Sequence, residues 1–400
     1  MKQSHSRYRW VILLLAFIPP TLLTLCQYQS TAYAPELMRQ FSLTDQQYTS
    51  VATAPMLLGV FISFLAGTAA DRFGVKKTVT AAVIVSALCA LARSFVTGYL
   101  GLLAVTVLMG CVGVVINANN AKIMTGWFPP AQLGLAIGLV ASTGNSGTII
   151  AMALGKSLSA SVSKAFLYSG IAFAAAAVLW ILFFRDRPRT ENAAGESPVR
   201  GPKPRMGSVL KNRTVWTAAL AAAFFMCVNI SVSALVSPGL MKRGVADTSA
   251  NLTIVIFSVT ALAASVLFPG LIARTKNTKI TCAVLSAAAG LSLYFGWLTD
   301  FAVLRNVLIP LCGLCLGGLL PTLLSIPAVL PEIGPDTIGA AGGLITTVMM
   351  AGAFLLPSYV VTPIAGGIND TAFLILLIAA VILGAIFLLL PNVSIRKRVP

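Results

Sequence analysis

The chain has 400 residues, of which 57% are hydrophobic and only 10% are charged, and its mean hydropathy is +0.90. Soluble domains carry about 25% charged residues, so this composition excludes the soluble class. The formal net charge is +17, but the basic runs lack the interleaved aromatic side chains on which bases stack. We therefore predict an integral membrane protein that contacts the lipid bilayer and has no nucleic acid partner.

Apolar runs of roughly 20 residues, the length that crosses the hydrocarbon core as a helix, recur along the whole sequence. The even number of these runs predicts that both termini lie on one side of the membrane. The twelve predicted spans lie at about 10–34, 47–68, 76–96, 98–121, 131–156, 164–184, 214–238, 249–272, 279–298, 303–327, 336–361 and 370–391.

The basic residues orient these spans. Most of the 28 Lys and Arg residues fall in segments that the topology places on the side of the termini. Cytoplasmic loops carry such an excess of positive charge. Both termini are therefore predicted to be cytoplasmic, in a bacterial inner (plasma) membrane, and the net charge reflects topology and anionic headgroups. A monomer is expected.

One long polar break interrupts the apolar pattern at residues 185–213, which hold four prolines and eight basic residues. Such a composition is typical of a flexible linker. The segments on either side echo each other, because the Gly67 and Lys76 pair recurs as Gly270 and Lys279. The predicted domains are a six-helix bundle at 1–184, a cytoplasmic linker at 185–213 and a second six-helix bundle at 214–400.

A short charged turn follows the second span and contains Gly67, Asp71, Arg72, Gly74 and Lys76. Two helices must reverse there within a few residues, so a glycine that permits a turn conformation and an acid that accepts charge-assisted hydrogen bonds are fitting. An ordinary basic cytoplasmic loop is the alternative interpretation. The spacing Gly-x-x-x-Asp-Arg-x-Gly-x-Lys resembles the loop between helices 2 and 3 of the major facilitator superfamily. The resemblance implies an all-α membrane fold of twelve transmembrane helices in two six-helix bundles, with these five residues as a gating motif.

The first span carries polar residues at helical spacing, Thr21, Thr24, Tyr28 and Thr31, which share one face. In a membrane such a face is turned to a neighbouring helix or to a water-filled cavity. Alternatively, the hydroxyls satisfy backbone carbonyls freed by Pro19-Pro20. Thr24 and Tyr28 are candidate substrate-binding residues.

The fourth span ends in a cluster of amides with one lysine, namely Asn117, Asn119, Asn120 and Lys122. Lys122 either extends to the headgroups or pairs with Asp71, or it contacts an anion in the inner vestibule. Asn117, Asn120 and Lys122 are therefore substrate-binding candidates.

The fifth span contains Ser142, Asn145 and small residues around them. Residues 127–151 resemble the region between helices 4 and 5 of nitrate/nitrite porters and related small-anion carriers. That resemblance implies that Ser142 and Asn145 offer polar groups to the solute. Close helix packing is the alternative explanation for the glycines.

The chain also departs from these carriers. Nitrate/nitrite porters place an arginine four residues before the signature glycine in helices 2 and 8, where this sequence has Ser63 and Val266. Oxalate/formate-type exchangers, which also resemble this chain, use a basic residue in helix 11, but residues 336–361 hold none. The missing arginines disfavour nitrate as the substrate. Thr106 stands where proton-coupled drug antiporters place an arginine, which disfavours membership of that group.

The second half offers fewer polar candidates. Asn229 and Ser233 are four residues apart in the seventh span, and Thr346 and Thr347 lie near the middle of the eleventh. We expect all four to contact the substrate, unless the threonines bond only to their own i−4 carbonyls.

All eleven acidic residues lie in loops or at predicted helix ends, and the only histidine is His5. No buried proton carrier, catalytic set or metal-ligand cluster is visible, so we expect no enzyme activity, no cofactor and no metal. The predicted function is secondary active or facilitative transport of a small solute by alternating access. A small organic anion such as a monocarboxylate is the first choice, and export of a weakly polar organic compound or drug is the alternative.

Overall fold

The structure is a computed structural model that describes residues 8–59, 62, 70, 72–159, 161–185, 210–275, 277–326 and 335–391. Every regular element in these ranges is helical. Eleven helices of the described chain are long and apolar enough to cross a membrane, and they correspond to eleven of the predicted spans. The second predicted span is described only in part. Gly67, Asp71 and Ser63, together with residues 186–209 of the predicted linker, lie outside the described residues.

The helices are labelled in chain order. They are α1 (Tyr8–Ala32), α2 (Ala34–Phe41), α3 (Asp45–Thr53), α4 (Val75–Ala92), α5 (Tyr99–Trp127), α6 (Pro130–Ala141), α7 (Thr143–Leu158), α8 (Val162–Phe183), α9 (Arg213–Lys242), α10 (Asp247–Arg274), α11 (Thr278–Leu298), α12 (Ala302–Gly317), α13 (Leu319–Ser325), α14 (Pro335–Leu355), α15 (Thr362–Ala365) and α16 (Asp370–Leu389).

Two predicted spans are divided in the structure. The fifth is interrupted at Ser142, between α6 and α7, and the tenth at Gly318, between α12 and α13. The Ser142 hydroxyl donates to the Leu139 carbonyl over 2.7 Å, and such bonds from serine to the preceding turn bend helices. The eleventh span changes to a π-helix at Leu356–Val361. Pro357 lies in that stretch, and a proline cannot donate to the regular helical ladder.

The chain divides into two compact units. The first comprises Met1–Thr44 and Ala54–Gly195. In it, α1 packs against α7, and α4 packs against α5 and α8. Its buried core includes Ile12, Phe173 and Trp180. The outward faces carry exposed leucines and isoleucines, which is the pattern of helices that contact lipid.

The second unit comprises Asp45–Thr53 and Glu196–Pro400. Its central helix is α9, which packs against α14 and α16 and is 83% buried over its most apolar stretch. A helix that is apolar on every side is typical of a protein core or of a membrane span. The short helix α3 belongs to this unit, although the chain before and after it belongs to the first.

Candidate functional site

The polar face of α1 is turned mostly into the first unit. The Thr21 and Thr24 hydroxyls donate to the carbonyls of Phe17 and Pro20, over 2.8 and 3.1 Å. These are ordinary i−4 bonds and not bonds to the carbonyls that Pro19-Pro20 leave free. Tyr28 is 7% exposed, whereas Thr24 is partly exposed. Of this face, Thr24 is therefore the better placed of the two candidates to meet a solute.

Asn145 lies on the side of α7 that faces away from α1. The opposite side is marked by Gly147, where a Cβ would lie 2.4 Å from the Thr21 carbonyl oxygen. Asn145 precedes Gly147 by two residues, or about 200° of rotation around the helix. Its side chain is partly exposed and makes no hydrogen bond to the described residues. The amide is thus available to a ligand, whereas Ser142 uses its hydroxyl within its own helix.

The amide cluster of α5 contains buried polar atoms without partners. Asn119 is fully buried and Asn120 is 5% exposed. The Asn119 amide nitrogen donates to the Val115 carbonyl over 2.8 Å. The Asn119 side-chain oxygen and both polar atoms of the Asn120 amide have no hydrogen-bond partner in the described structure. Each such group costs roughly 1–3 kcal/mol, so an unbonded buried amide indicates a site where water or a ligand completes the bonding.

The other two members of that cluster are on the surface. Asn117 and Lys122 are both exposed in α5, one on each side of the buried amides. Lys122 is therefore open at the surface, while Asn119 and Asn120 are covered. The sequence places Asn119 in the amide cluster but does not mark it as a site residue. Its complete burial is the signal that distinguishes it, and burial is a tertiary property.

A second buried polar network is not recognisable from the sequence. Arg93, at the end of α4, is 2% exposed and donates to the Cys26 carbonyl and, over 3.0 Å, to the Gln29 side-chain oxygen. Its guanidinium carbon lies 3.9 Å from the centre of the Phe166 ring. Ser169 also donates to the Gln29 oxygen, over 3.0 Å. This Arg93 network ties α1 to α4 and α8.

In the second unit, both threonine candidates use their hydroxyl groups for hydrogen bonds within their own helix. The Thr346 and Thr347 hydroxyls donate to the carbonyls of Gly342 and Gly343 over 2.9 and 2.8 Å. Ser233 donates to the Asn229 carbonyl over 3.2 Å and is 5% exposed. Asn229 is partly exposed although its neighbours in α9 are buried. Its side-chain amide is the best placed of these four groups to contact a solute.

The short helix α3 is held to the second unit by polar contacts. Asp45 pairs with Lys242 and accepts a hydrogen bond from the Ile368 backbone N–H over 2.8 Å. The Tyr48 hydroxyl donates to the Ala234 carbonyl over 3.0 Å. Two further contacts join buried hydroxyl groups, Thr53 to Ser358 over 2.8 Å and Thr362 to Thr49 over 3.2 Å.

Three of the five residues of the charged turn are described. Gly74 has a φ of +88°, a conformation that residues with a side chain rarely adopt. Arg72 is exposed, and its guanidinium lies 5.4 Å from the centre of the Phe73 ring. Lys76 is partly exposed at the start of α4. Gly74 therefore has a turn conformation immediately before α4.

The sequence profile of the Major Facilitator Superfamily matches residues 13–357. The chain belongs to this family. The resemblance noted in the charged turn is thereby confirmed, and so is the helical membrane fold class. The members of this superfamily are membrane transporters of small molecules and not enzymes.

Among curated proteins, the chain is similar to a hexuronate transporter of Bacillus subtilis (strain 168), with 26% identity over 54% of this chain and 53% of that one. It is also similar to a probable nitrate/nitrite antiporter of Thermus thermophilus, with 30% identity over 34% of this chain and 30% of that one. The chain thus spans about half or less of the length of the curated relatives it matches.

Solved structures show the same fold over nearly the whole chain. A bacterial homologue of the human lysosomal transporter Spinster superposes with a TM-score of 0.77 at 17% identity, over 96% of this chain and 97% of that one. The nucleoside transporter NupG superposes with a TM-score of 0.75 at 16% identity, over 96% and 99%. At such identities these similarities establish the fold alone.

Proposed function

We propose that this facilitator transports a small organic anion, a monocarboxylate, by alternating access between two six-helix bundles at 1–184 and 214–400. The linker at 185–213, cytoplasmic termini, a bacterial inner membrane and a monomeric state are parts of the same proposal. Two curated relatives, named for hexuronate and for nitrate/nitrite, support an anionic substrate. A hexuronate is a sugar acid, with one carboxylate and several hydroxyl groups.

The observation that carries the proposal is the set of unbonded amides in the first unit. Asn119 and Asn120 are buried with unpartnered polar atoms, and Asn145 is partly exposed with no bond to the described residues. Amides both donate and accept hydrogen bonds, which suits a hydroxylated carboxylate. We infer that Thr24, Asn117 and Lys122 complete the binding surface of the first unit, with Tyr28 and Ser142 shaping it through packing. In the second unit, we propose that Asn229 contacts the substrate and that Ser233, Thr346 and Thr347 support it through packing.

The proposed binding surface disfavours nitrate, because Lys122 is the one cation among its residues. A small inorganic anion loses much of its hydration when it is buried, and an uncompensated buried charge costs several kcal/mol. Val266 stands where nitrate/nitrite porters place an arginine, and its apolar side chain is 75% exposed. Amides and hydroxyl groups contribute only about 1 kcal/mol each. A larger anion with several hydroxyl groups gains more of these bonds than nitrate does.

The proposal is tested by uptake into proteoliposomes that contain the purified protein. The panel comprises a radiolabelled hexuronate, a short-chain monocarboxylate, nitrate, the neutral parent hexose and a weakly polar drug, each with and without internal counter-substrate. We expect uptake of a carboxylate but not of the neutral hexose, and stimulation by internal substrate if the mechanism is exchange. Transport of nitrate alone, or of the drug alone, contradicts the proposal, and the second result supports the export alternative.

The Asn145→Ala variant is expected to raise the half-saturating substrate concentration. Loss of one hydrogen bond of about 1 kcal/mol corresponds to roughly a fivefold change. The matched control is Ser146→Ala in the same helix, because the Ser146 hydroxyl donates to the Ser142 carbonyl over 3.0 Å and is already satisfied. The half-saturating concentration is measured in the uptake assay. If it is the same for Asn145→Ala and wild type, Asn145 contributes to helix packing and not to substrate binding.

The Asp45→Ala variant is expected to change turnover more than half-saturation. Asp45 holds α3 to the second unit through Lys242 and the Ile368 N–H, and we propose that α3 exchanges these contacts during the transport cycle. The control is Asp300→Ala, which removes a weaker ion pair, 3.6 Å from Arg243, made by a side chain that is 95% exposed. If the two variants have the same turnover, the exchange of α3 contacts is excluded.

A further inference from the structure

An open groove with a volume of about 470 Å³ lies on the surface of the first unit. It lies between α4 and α5. Its walls include Ala81 and Val85 of α4 and Val112 and Val115 of α5. These four side chains carry no polar groups, and Thr78 is the one uncharged polar residue among those that line the groove, so most of its wall is suited to hydrocarbon.

The mouth of the groove carries positive charge. Phe73 and Lys77 line it at the start of α4, and both side chains are exposed. Arg72 lies at the same place, because its guanidinium is 5.4 Å from the centre of the Phe73 ring and is exposed as well. Two exposed cations therefore lie beside one end of the apolar groove.

We propose that this groove binds one acyl chain of an anionic phospholipid, whose phosphate contacts Lys77 and Arg72. From Lys77 to Val85 the helix rises about 12 Å at 1.5 Å per residue. The hydrocarbon layer of one leaflet is about 15 Å deep, because the hydrocarbon core of the whole bilayer is about 30 Å thick. The groove thus extends from the level of the headgroups through most of one leaflet, as an acyl chain does.

Charge complementarity selects the headgroup. In a membrane, an apolar groove open to the bilayer is filled by hydrocarbon whatever the lipid is. Basic side chains beside the headgroups attract anionic lipids, and basic pockets between transmembrane helices bind their phosphates. A zwitterionic lipid offers the same acyl chain without net charge, so Lys77 and Arg72 favour the anionic one.

The site also has a consequence for the charged turn. Gly74 and Lys76 lie between Phe73 and Lys77 in the sequence, and Gly74 has a φ of +88°. A lipid bound at both ends of this stretch restrains the turn relative to α4. The effect on gating rests on the proposed transport function, whereas lipid binding itself does not.

Native mass spectrometry of the detergent-purified full chain tests the binding directly. The protein is equilibrated with equal amounts of phosphatidylglycerol and phosphatidylcholine, and the bound lipid is counted for each. We expect wild type to retain phosphatidylglycerol in preference by roughly fivefold per cation, or about 1 kcal/mol. Lys77→Gln and Arg72→Gln should each reduce that preference, while Ala81→Phe should fill the groove and reduce retention of both lipids.

Two control variants match these changes elsewhere on the same unit. Lys164→Gln removes another exposed lysine, and Ala175→Phe enlarges another exposed alanine, both in α8. Both controls should retain wild-type binding. Equal retention of the two lipids by wild type, or unchanged retention in Ala81→Phe, overturns the proposal. Because the readout is bound lipid, failure here is distinguishable from failure to transport an organic anion.

Discussion

Replacement of Gly147 by alanine is expected to abolish most transport and to lower the thermal stability of the first unit. A Cβ at position 147 would lie 2.4 Å from the Thr21 carbonyl oxygen and 2.9 Å from the Leu25 backbone nitrogen. Backbone atoms cannot rotate away as a flexible side chain does, so α1 and α7 must separate. Overpacking of this kind costs roughly 1–3 kcal/mol, and it displaces Thr24, whose Cβ would be 2.6 Å away.

Gly144→Ala is the matched control for this prediction. Gly144 lies one turn earlier in α7 and is exposed, and a Cβ added there would have no neighbouring atom within 4 Å. Alanine also favours helix over glycine by about 1 kcal/mol. Gly144→Ala should therefore unfold at or above the wild-type temperature and keep its uptake rate. If Gly147→Ala behaves as Gly144→Ala does, then close contact between α1 and α7 is not required.

The role of Gly147 could not be predicted from the sequence alone. The small residues of the fifth span are compatible with packing or with solute contact, and periodicity alone cannot separate the two. The structure assigns Gly147 to packing, and by rotation around the helix it places Asn145 on the opposite side. Thr346 and Thr347 illustrate the reverse outcome, because the i−4 bonds that the sequence allows are the ones observed.

The large-scale fold is predictable because apolar length and charge asymmetry are properties of the sequence itself. The helix breaks at Ser142 and Gly318 are not, because small and polar residues at both positions are equally compatible with a continuous transmembrane helix. Nor is the association of α3 with the second unit, which depends on residues about 200 to 320 positions away, such as Lys242 and Ile368. Contacts over such separations leave no periodic signal.

The burial of Arg93 could not be predicted from the sequence, for a related reason. In the sequence it stands at the end of an apolar run, where an arginine is expected to reach the headgroups. In the structure it is 2% exposed, and its partners come from α1 and α8. The nearby Gln29 is, in the sequence, only a polar residue in the outer half of the first span. Its role as the shared acceptor of Arg93 and Ser169 is visible only in three dimensions.

We expect Arg93→Lys to be more damaging than Arg93→Met. The two guanidinium nitrogens donate separately to the Cys26 carbonyl and the Gln29 side-chain oxygen. These charge-assisted bonds contribute roughly 1.5–3 kcal/mol each, and they offset a desolvation cost of several kcal/mol for a buried cation. Lysine keeps the charge as a compact, strongly hydrated ammonium and loses the planar fork that reaches both acceptors. Methionine loses the bonds but also removes the buried charge.

The predicted order of thermal unfolding temperatures is therefore wild type, then Arg93→Met, then Arg93→Lys. Both variants should transport slowly, because the segment of α1 from Cys26 to Gln29 includes Tyr28 and depends on Arg93 for its position. Arg39→Met is the control, since Arg39 is an exposed arginine of α2. Unfolding is followed by the fluorescence of a thiol-reactive dye on the buried cysteines, and uptake is measured on the same preparations. An Arg93→Lys protein that matches wild type in both assays shows that charge alone, without the fork, is sufficient to hold α1, α4 and α8 together.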